Sequence, residues 1–540
     1  MVVDETRGDA GQGEAKRPNI LWIVVDEMRW DAIGAYGASV HKTPNIDRLA
    51  RRGTMFTNAY VNGPECVPAR ASFMTGKYCK TVDVYNNQMA LNFGPERRAR
   101  AQEIKAKLGP DEWDKRADAN FLAFNKAQAN AYTFPMPAAM LRGLTDALTL
   151  RQVAMEHGVF AEGPTDRMLP ELLAQGGGYR TRNAGKVHHN NFWHGFQEMF
   201  NHPDENLHTP FGVLTAAADV DKDRLIFLPT ADTVRVIGGG VWPLPEARNP
   251  DAVRTKDIVE FLGNTPAADK PFLARLSLIW PHTPVLPPEP WDRTFSPDDF
   301  PTRPMPTPEE LASKSRYEAD WRKKTWSGQL PQDELRQAWA DYWGLCTYVD
   351  ELVGRVLDAL ESSPHKDNTV VVFTADHGVL LGEHGLWQKE HFYEQVVKVP
   401  LIFSQPGVIP EGKVIDVPVQ HIDIVPTLLD HANVPIPADV EGKSLKDVIA
   451  GTEAAPHEYV FSEYVDIGAE YDGWIRRMVS DSEWRLEVTL PNIDGDLDGT
   501  MYHLASDHDE MQNLYYDDAA VAQHRARLLG RLTDWLAVPA

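Results

Sequence analysis

Four stretches of the chain are largely apolar: Asn19–Val25 (NILWIVV), Phe272–Trp280 (FLARLSLIW), Thr369–Thr374 (TVVVFT) and Val399–Ser404 (VPLIFS). Runs of this length without polar alternation predict strands buried on both faces. Helical patterns lie between them, including Asp47–Arg52, Leu169–Gln175 and Trp339–Ser362. Strands separated by helices predict an α/β fold, its central sheet mostly parallel and flanked by helices. Residues 1–17 are polar and predict a disordered leader. Residues from about 90 to 166 are rich in Ala, Lys, Gln and Glu and predict a helical insertion. The Pro-rich stretch Pro284–Pro308 predicts a long surface connection. After about Asp430 the pattern shortens and alternates, as in Trp484–Thr489 and Met501–Leu504, before a final helix at Ala519–Trp535. The expected organisation is a main domain over 18–430 and a small C-terminal α+β subdomain with an antiparallel sheet over 431–540.

Composition narrows the function classes. The 540 residues are 43% hydrophobic and 24% charged, as in a soluble globular protein. With 54 basic and 78 acidic side chains the net charge is −24. That excess argues against nucleic acid and anionic membranes as partners, because phosphate binding needs a basic footprint. A small anionic substrate remains compatible, since a few buried cations reverse the field locally. Three cysteines, Cys66, Cys79 and Cys346, are too few for a disulfide framework. The polar N-terminus lacks an apolar signal region, and no run of about eighteen apolar residues occurs. These features predict a cytoplasmic protein that does not span a membrane; a homo-oligomer is left open.

The chemistry follows the apolar runs. Asn19–Val25 leads into Asp26-Glu27, Thr369–Thr374 is followed by Asp376-His377, and Phe272–Trp280 by Pro281-His282. Open parallel sheets bind ligands outside the carboxyl ends of their strands. Three carboxylates brought together there repel unless a cation joins them. Oxygen ligands with one imidazole suit Ca²⁺, Mg²⁺ or Mn²⁺. Any one of these acids alone is equally well read as a helix N-cap. In Pro64-Glu65-Cys66-Val67-Pro68-Ala69-Arg70, Pro68 suits the first turn of a helix, so Cys66 sits near its N-terminus. Arg70 shares a helix face with Cys66, and the two form an oxyanion site or activate a thiolate. The plain alternative is a small buried thiol. Cysteine phosphatases need Arg six residues after Cys, and that position is Ser72.

The segment CVPARASFMTGKY resembles the signature of the type I sulfatases, whose C-x-P-x-R cysteine is converted to formylglycine. Further segments match in the family's order: PNILWIVVDE, TPNIDRLARRGTMFTNAY, GKVHH, WPHTP, TADHGVLLGEHGLWQKEHFYE, VPLIFSQPG, DIVPTLLDHANVP and MYHLASDHDEMQNL. They span most of Pro18 to Leu514, the insertion excepted. The resemblance implies the alkaline-phosphatase-like fold. It also implies one divalent ion, Ca²⁺ with Mn²⁺ as alternative, held by Asp26, Glu27, Asp376, His377 and residue 66. It gives Arg70 the task of holding the formylglycine hydrate. Lys186, His188, His282 and Lys389 then face the oxyanion or the leaving group. Asn87 stands where related phosphonate monoester hydrolases place a substrate-binding Asn. Maturation implies a formylglycine-generating enzyme as partner. The family more often has Asp-Asp where this chain has Asp26-Glu27, and Asn beside Asp376 where this chain has His377.

The implied activity is metal-dependent hydrolysis of sulfate monoesters, arylsulfatase-like, with the formylglycine hydrate as nucleophile. The alternative is phosphonate monoester or phosphate diester hydrolysis on the same scaffold, with cross-reactivity between them. A third reading, a non-catalytic anion binder, gives no reason to keep Cys66, Arg70, Lys186, His188 and Lys389 together. The Asp494–Gly499 cluster resembles an EF-hand opening, but its twelfth position is Ala505, so a hairpin turn is expected. By its position the insertion is expected to rim the crevice, or to form an oligomerisation surface.

Overall fold

The computed structural model describes residues 17–87, 167–187, 195–200, 225–229, 234–267, 270–300, 307–325, 330–465, 475–490, 498–516 and 519–538, apart from 39, 41 and 83, with a few positions between 103 and 115. Its centre is a nine-stranded sheet. In chain order the strands are β1 (Asn19–Val25), β2 (Thr54–Tyr60), β3 (Arg180–Gly185), β4 (Glu198–Phe200), β5 (Phe272–Leu278), β6 (Thr369–Ala375), β7 (Lys398–Ser404), β8 (Lys413–Ile415) and β9 (Val419–Gln420). Their spatial order is β8–β2–β7–β6–β1–β5–β3–β4, with β9 also paired to β2. Strands β6, β1, β5, β3 and β4 run parallel to one another. Strand β7 is antiparallel to both β6 and β2, so the sheet is mostly rather than wholly parallel. Its apolar run marks a strand buried on both faces but carries no information about direction.

Every residue of β1, β5 and β6 is buried. Each large aliphatic side chain so placed contributes about 1.5–3 kcal/mol. The helices that bear on the argument are α1 (Pro44–Arg51), α2 (Cys66–Thr75), α3 (Leu169–Gly177), α4 (Pro250–Asn264), α5 (Gln332–Ser362) and α6 (Ala519–Ala537). Helix α4 packs on β3 and β5 and against α5, which also meets α1. Helix α5 begins at Gln332 instead of Trp339, because Asp333 and Glu334 favour its first turn without adding apolar periodicity.

The stretch after β5 departs from expectation. Val285, Leu286, Phe295 and Phe300 are buried, and the Phe300 ring lies 4.9 Å from that of Trp343 on α5. This connection is anchored by its apolar residues and is not simply a surface loop. The C-terminal sheet consists of β10 (Val460–Val465), β11 (Ile475–Ser480), β12 (Trp484–Leu490) and β13 (Asp498–His503), each antiparallel to the next. Helix α6 packs on β11 and β12. Val460, Tyr464 and Met478 of this sheet belong to the main core, so the two sheets share apolar contact. Among the described residues no helix is long and apolar enough to cross a membrane. The expected leader up to residue 16 and most of the expected insertion lie outside the described residues.

Candidate active site

Strands β6, β1, β5 and β3 end side by side. Val25 pairs with Ala375 on one side and Leu278 on the other, so Asp26 and Asp376 emerge together. The Asp376 N–H donates to the Val25 carbonyl at 3.0 Å. Lys186 leaves β3 with its N–H donating to the Ser277 carbonyl at 3.0 Å. Gly185 makes this approach feasible: at φ +112°, a Cβ there would lie 1.9 Å from the Ser277 carbonyl oxygen.

Helix α2 is buried along its whole length, which agrees with a sequence that has no polar face. Cys66 opens it. The preceding Glu65 is extended and gives no side-chain cap. The cap comes from Asn87, whose Oδ1 accepts the Val67 N–H at 2.8 Å while its own N–H donates to Glu65 Oε2 at 2.7 Å. Arg70, one turn along, is buried and faces the strand ends. Its Nε donates to Asp376 Oδ2 at 2.9 Å and its Nη2 to Asp26 Oδ2 at 3.1 Å. Its Nη1 donates to Ser277 Oγ at 2.9 Å and the Lys186 carbonyl at 3.1 Å. One guanidinium thus ties four neighbouring strand ends to the helix.

Among the described residues, three nitrogen-bearing side chains converge on Cys66 Sγ: His377 Nε2 at 3.2 Å, Lys389 Nζ at 3.3 Å and Lys186 Nζ at 3.5 Å. Asp26 Oδ1 lies 3.7 Å from the same sulfur. Lys186 also pairs with Asp26, and Lys389 with Glu27. His282 Nε2 stands 3.3 Å from Lys389 Nζ and 3.2 Å from Glu27 Oε1. Glu27 Oε2 accepts the Thr283 N–H at 3.3 Å. The Glu27 backbone is left-handed, φ 59°, which a non-glycine residue seldom adopts. Tyr342 Oη donates to the Glu27 carbonyl at 2.6 Å and the Glu27 N–H donates to Asp376 Oδ1 at 3.1 Å, holding that conformation.

Burial penalises the charges of Glu27, Lys389 and His377, and neighbours reverse the penalty. Burial pushes the Glu27 carboxyl up, but His282 and Lys389 together hold it below the usual range. Burial pulls the Lys389 ammonium down, yet Cys66, Glu27 and Asp26 raise it well above its ordinary value. His377 behaves alike: burial lowers it, while Asp376 and Cys66 push it up to about 10. The anionic pocket therefore calls for positive charge among these groups, which a bound cation would supply with His377 as a neutral ligand.

That demand matches the donor set. Ligand atoms of Asp26, Cys66, Asp376 and His377 lie within 4.8 Å of one another, and a second group of Asp26, Glu27 and His282 shares Asp26. His377 Nδ1 donates to the Gly378 carbonyl at 2.7 Å, leaving Nε2 turned toward Cys66, the orientation of a metal-ligating imidazole. Carboxylate oxygens with one imidazole fit a hard divalent cation.

Of the residues singled out in the sequence, Asp26, Glu27, Cys66, Arg70, Lys186, His282, Asp376, His377 and Lys389 converge at this crevice. His188 lies outside the described residues. Asn87 is near Cys66, with its side-chain oxygen engaged in capping α2. Ser277 and Tyr342 were not foreseen. A lone serine in the apolar FLARLSLIW was the only mark of the first, and Tyr342 is one aromatic among several on α5.

Comparison with known proteins gives the family. The family model described as Sulfatase matches residues 18–105 and 110–434. A second, described as N-sulphoglucosamine sulphohydrolase, C-terminal, matches residues 382–537. An arylsulfatase of Clostridium perfringens is 26% identical over 452 residues, 83% of this chain and 82% of that protein. An N-acetylglucosamine-6-O-sulfatase of Bacteroides thetaiotaomicron is 25% identical over 529 residues, covering 93% and 83%. Among solved structures, the phosphonate monoester hydrolase of Agrobacterium radiobacter shares the fold with a TM-score of 0.70 at 21% identity, over 96% of each chain. An enzyme in complex with its substrate D-glucosamine-2-N,6-O-disulfate does so with a TM-score of 0.65 at 22% identity, over 96% of this chain and 97% of that one. The chain belongs to the sulfatase family of sulfuric ester hydrolases.

Proposed function

We propose that this chain hydrolyses sulfate monoesters at the crevice around residue 66, with Cys66 converted to formylglycine and one divalent ion bound. The observation that carries the reading is the approach of Lys186 and Lys389 to within 3.5 Å of a single side-chain atom at a helix N-terminus, beside the carboxylates and imidazole that would hold the ion. A sulfate monoester carries one negative charge and meets an anionic nucleophile, and cations so placed neutralise both.

Asp26, Asp376 and His377, with Glu27 on the adjoining side, would hold the ion, Ca²⁺ by the hardness of the donors and Mn²⁺ as the alternative. Bound there, it supplies Lewis acidity toward the sulfuryl oxygens and favours an ionised nucleophile. Formylglycine, made by a separate modifying enzyme, would supply a hydroxyl nucleophile and a second hydroxyl that lets the product anion be released, which serine or cysteine lacks. Lys186 and Lys389 neutralise the non-bridging oxygens as charge shifts during S–O cleavage. Arg70 keeps the two aspartates fixed beneath residue 66. His282, beside Lys389 and Glu27, is positioned to hold a proton for the departing oxygen. The substrate class we favour is a sulfated small molecule such as an aryl or sugar sulfate. The relatives named for arylsulfate and N-acetylglucosamine 6-sulfate chemistry support that choice.

Two measurements test the reading. A peptide mass spectrum across Cys66, from protein made in its native host, should show loss of sulfur and two hydrogens with gain of one oxygen. The ratio of kcat/KM for nitrophenyl sulfate to that for a phenylphosphonate ester should favour the sulfate. A phosphonate rate higher by orders of magnitude would replace this function with phosphonate monoester or phosphodiester hydrolysis. Unmodified cysteine in active protein would require a thiolate mechanism.

A further inference from the structure

Lys389 lies between Gln388 and Glu390, both with left-handed backbone, φ 83° and 70°. Neither is glycine, so the conformation depends on outside support. Two bonds to Glu390 provide it. Its N–H donates to the Pro64 carbonyl at 3.0 Å, tying the Lys389 loop to the segment that leads into Cys66. Its carbonyl accepts Arg476 Nη1, and Arg476 belongs to β11 of the C-terminal sheet.

Arg476 is itself held on several sides. It is fully buried, its Nε donates to Glu487 Oε1 on β12 at 2.7 Å, and its guanidinium carbon lies 3.8 Å from the Tyr317 ring centroid and 5.0 Å from that of Phe392. A planar cation fixed by a carboxylate on one edge and an aromatic face presents its remaining N–H groups in one direction. The same sheet reaches the other half of the site. The Val465 carbonyl of β10 accepts Asn86 Nδ2 at 2.7 Å, next to the residue that caps α2.

We infer that Arg476 is a positioning residue: from the C-terminal sheet it fixes the backbone at Glu390 and thereby sets where the Lys389 ammonium stands relative to residue 66. The inference rests on the proposal that Lys389 acts on the reacting group. Lysine at 476 would keep the charge but lose the planar fork whose separate Nε and Nη1 serve Glu487 and the Glu390 carbonyl. Arg485 on β12 is the comparator. It is equally buried, pairs with Glu510 at 2.7 Å and lies 5.0 Å over the rings of Tyr393 and Tyr502.

The test uses the full chain carrying Arg476→Lys, Arg485→Lys, Lys389→Ala, and Arg476→Lys combined with Lys389→Ala. Arg476→Lys should lower kcat on nitrophenyl sulfate about 10²-fold, the scale of a small misplacement of a catalytic group, with KM nearly unchanged. Amide hydrogen exchange should quicken in a peptide spanning Trp387–Phe392. Arg485→Lys should lower the melting temperature and leave both kcat and that peptide as they were. In the Lys389→Ala background, Arg476→Lys should change kcat less than about twofold. An equal loss of kcat in both backgrounds, or unchanged exchange at 387–392, would overturn the inference. Should the native protein leave sulfate esters intact, the proposed reaction falls instead, and the exchange comparison of the two arginines alone decides the positioning role.

Discussion

The two sheets of this molecule handle charge in opposite ways. In the central sheet, β1 and β6 are buried and hold no charged residue, and the acids Asp26 and Asp376 come immediately after them. In the C-terminal sheet the strands themselves carry paired charges: Arg476 with Glu487, the half-buried Arg477 with Glu463, and Arg485 with Glu510 of the turn after β13. A parallel strand covered on both faces leaves little room for charge along its length; Arg275 in β5 is a buried exception, and Arg180 and Arg182 lie on the less buried β3. An antiparallel sheet pressed against a charged crevice can carry ions inward if each finds a partner. The position of a charge therefore tells what its loss will do. At a strand end it is available for chemistry; inside a strand it holds structure, and halving a pair leaves an ion buried alone.

The largest effect should come from the central sheet. Asp376→Ala removes a carboxylate shared by Arg70, the Glu27 N–H and the proposed metal group. Turnover of nitrophenyl sulfate should fall at least about 10³-fold, and metal content measured by plasma emission should fall with it. Retained activity would contradict the metal site. Next comes Glu510→Ala in the C-terminal region. It strands Arg485 without its carboxylate in a buried position, and the expected loss of stability is about 3–5 kcal/mol, measured by urea unfolding. The molecules that remain folded should keep their kcat. A fall in kcat with little change in stability would erase the contrast between the two sheets.

The same distinction explains how much could be read from the sequence. Strands β1, β5 and β6 were legible because their burial is written as largely apolar runs, and their polar successors gave Asp26, Glu27, Asp376, His377 and His282. Strand β3, RTRNAG, was not legible. Arg182 is held there by Asp257 and by Glu198, the latter at 2.8 Å, and Arg180 also pairs with Glu198. Partners distant in sequence leave no local pattern. Cys66, Arg70, Lys186 and Lys389 were reached through resemblance, since their spacing alone left a buried thiol equally open. Tyr342 and Arg476 act through bonds to backbone carbonyls, at Glu27 and Glu390, and a carbonyl has no sequence signature.

Acidity sharpens the contrast at smaller amplitude. Burial pushes the Glu463 carboxyl up to about 7 despite Arg477, from the ordinary 4.5. A carboxyl raised in the folded state favours folding while it is protonated. Its contribution is complete below pH 4.5 and is lost as pH rises toward 7. The melting temperature of the native chain should fall across that window, and Glu463→Gln should flatten the fall. An unchanged slope in the variant would show that Glu463 ionises normally in the fold.

The smallest expected effect tests where the two regions meet helix α2. Asn87→Ala removes the oxygen that accepts the Val67 N–H, a capping loss of about 1 kcal/mol. The effect should stay that small because the bond from the Asn87 N–H to Glu65 is a backbone donation and survives the truncation. Asn86, still bound to the Val465 carbonyl, keeps the turn attached to the C-terminal sheet. If capping is the whole role of the side chain, the melting temperature drops slightly and KM for sulfate and phosphonate esters stays put. A rise in KM of about tenfold or more, corresponding to about 1.4 kcal/mol of lost binding, would instead make Asn87 a substrate contact, as the resemblance to phosphonate monoester hydrolases implies.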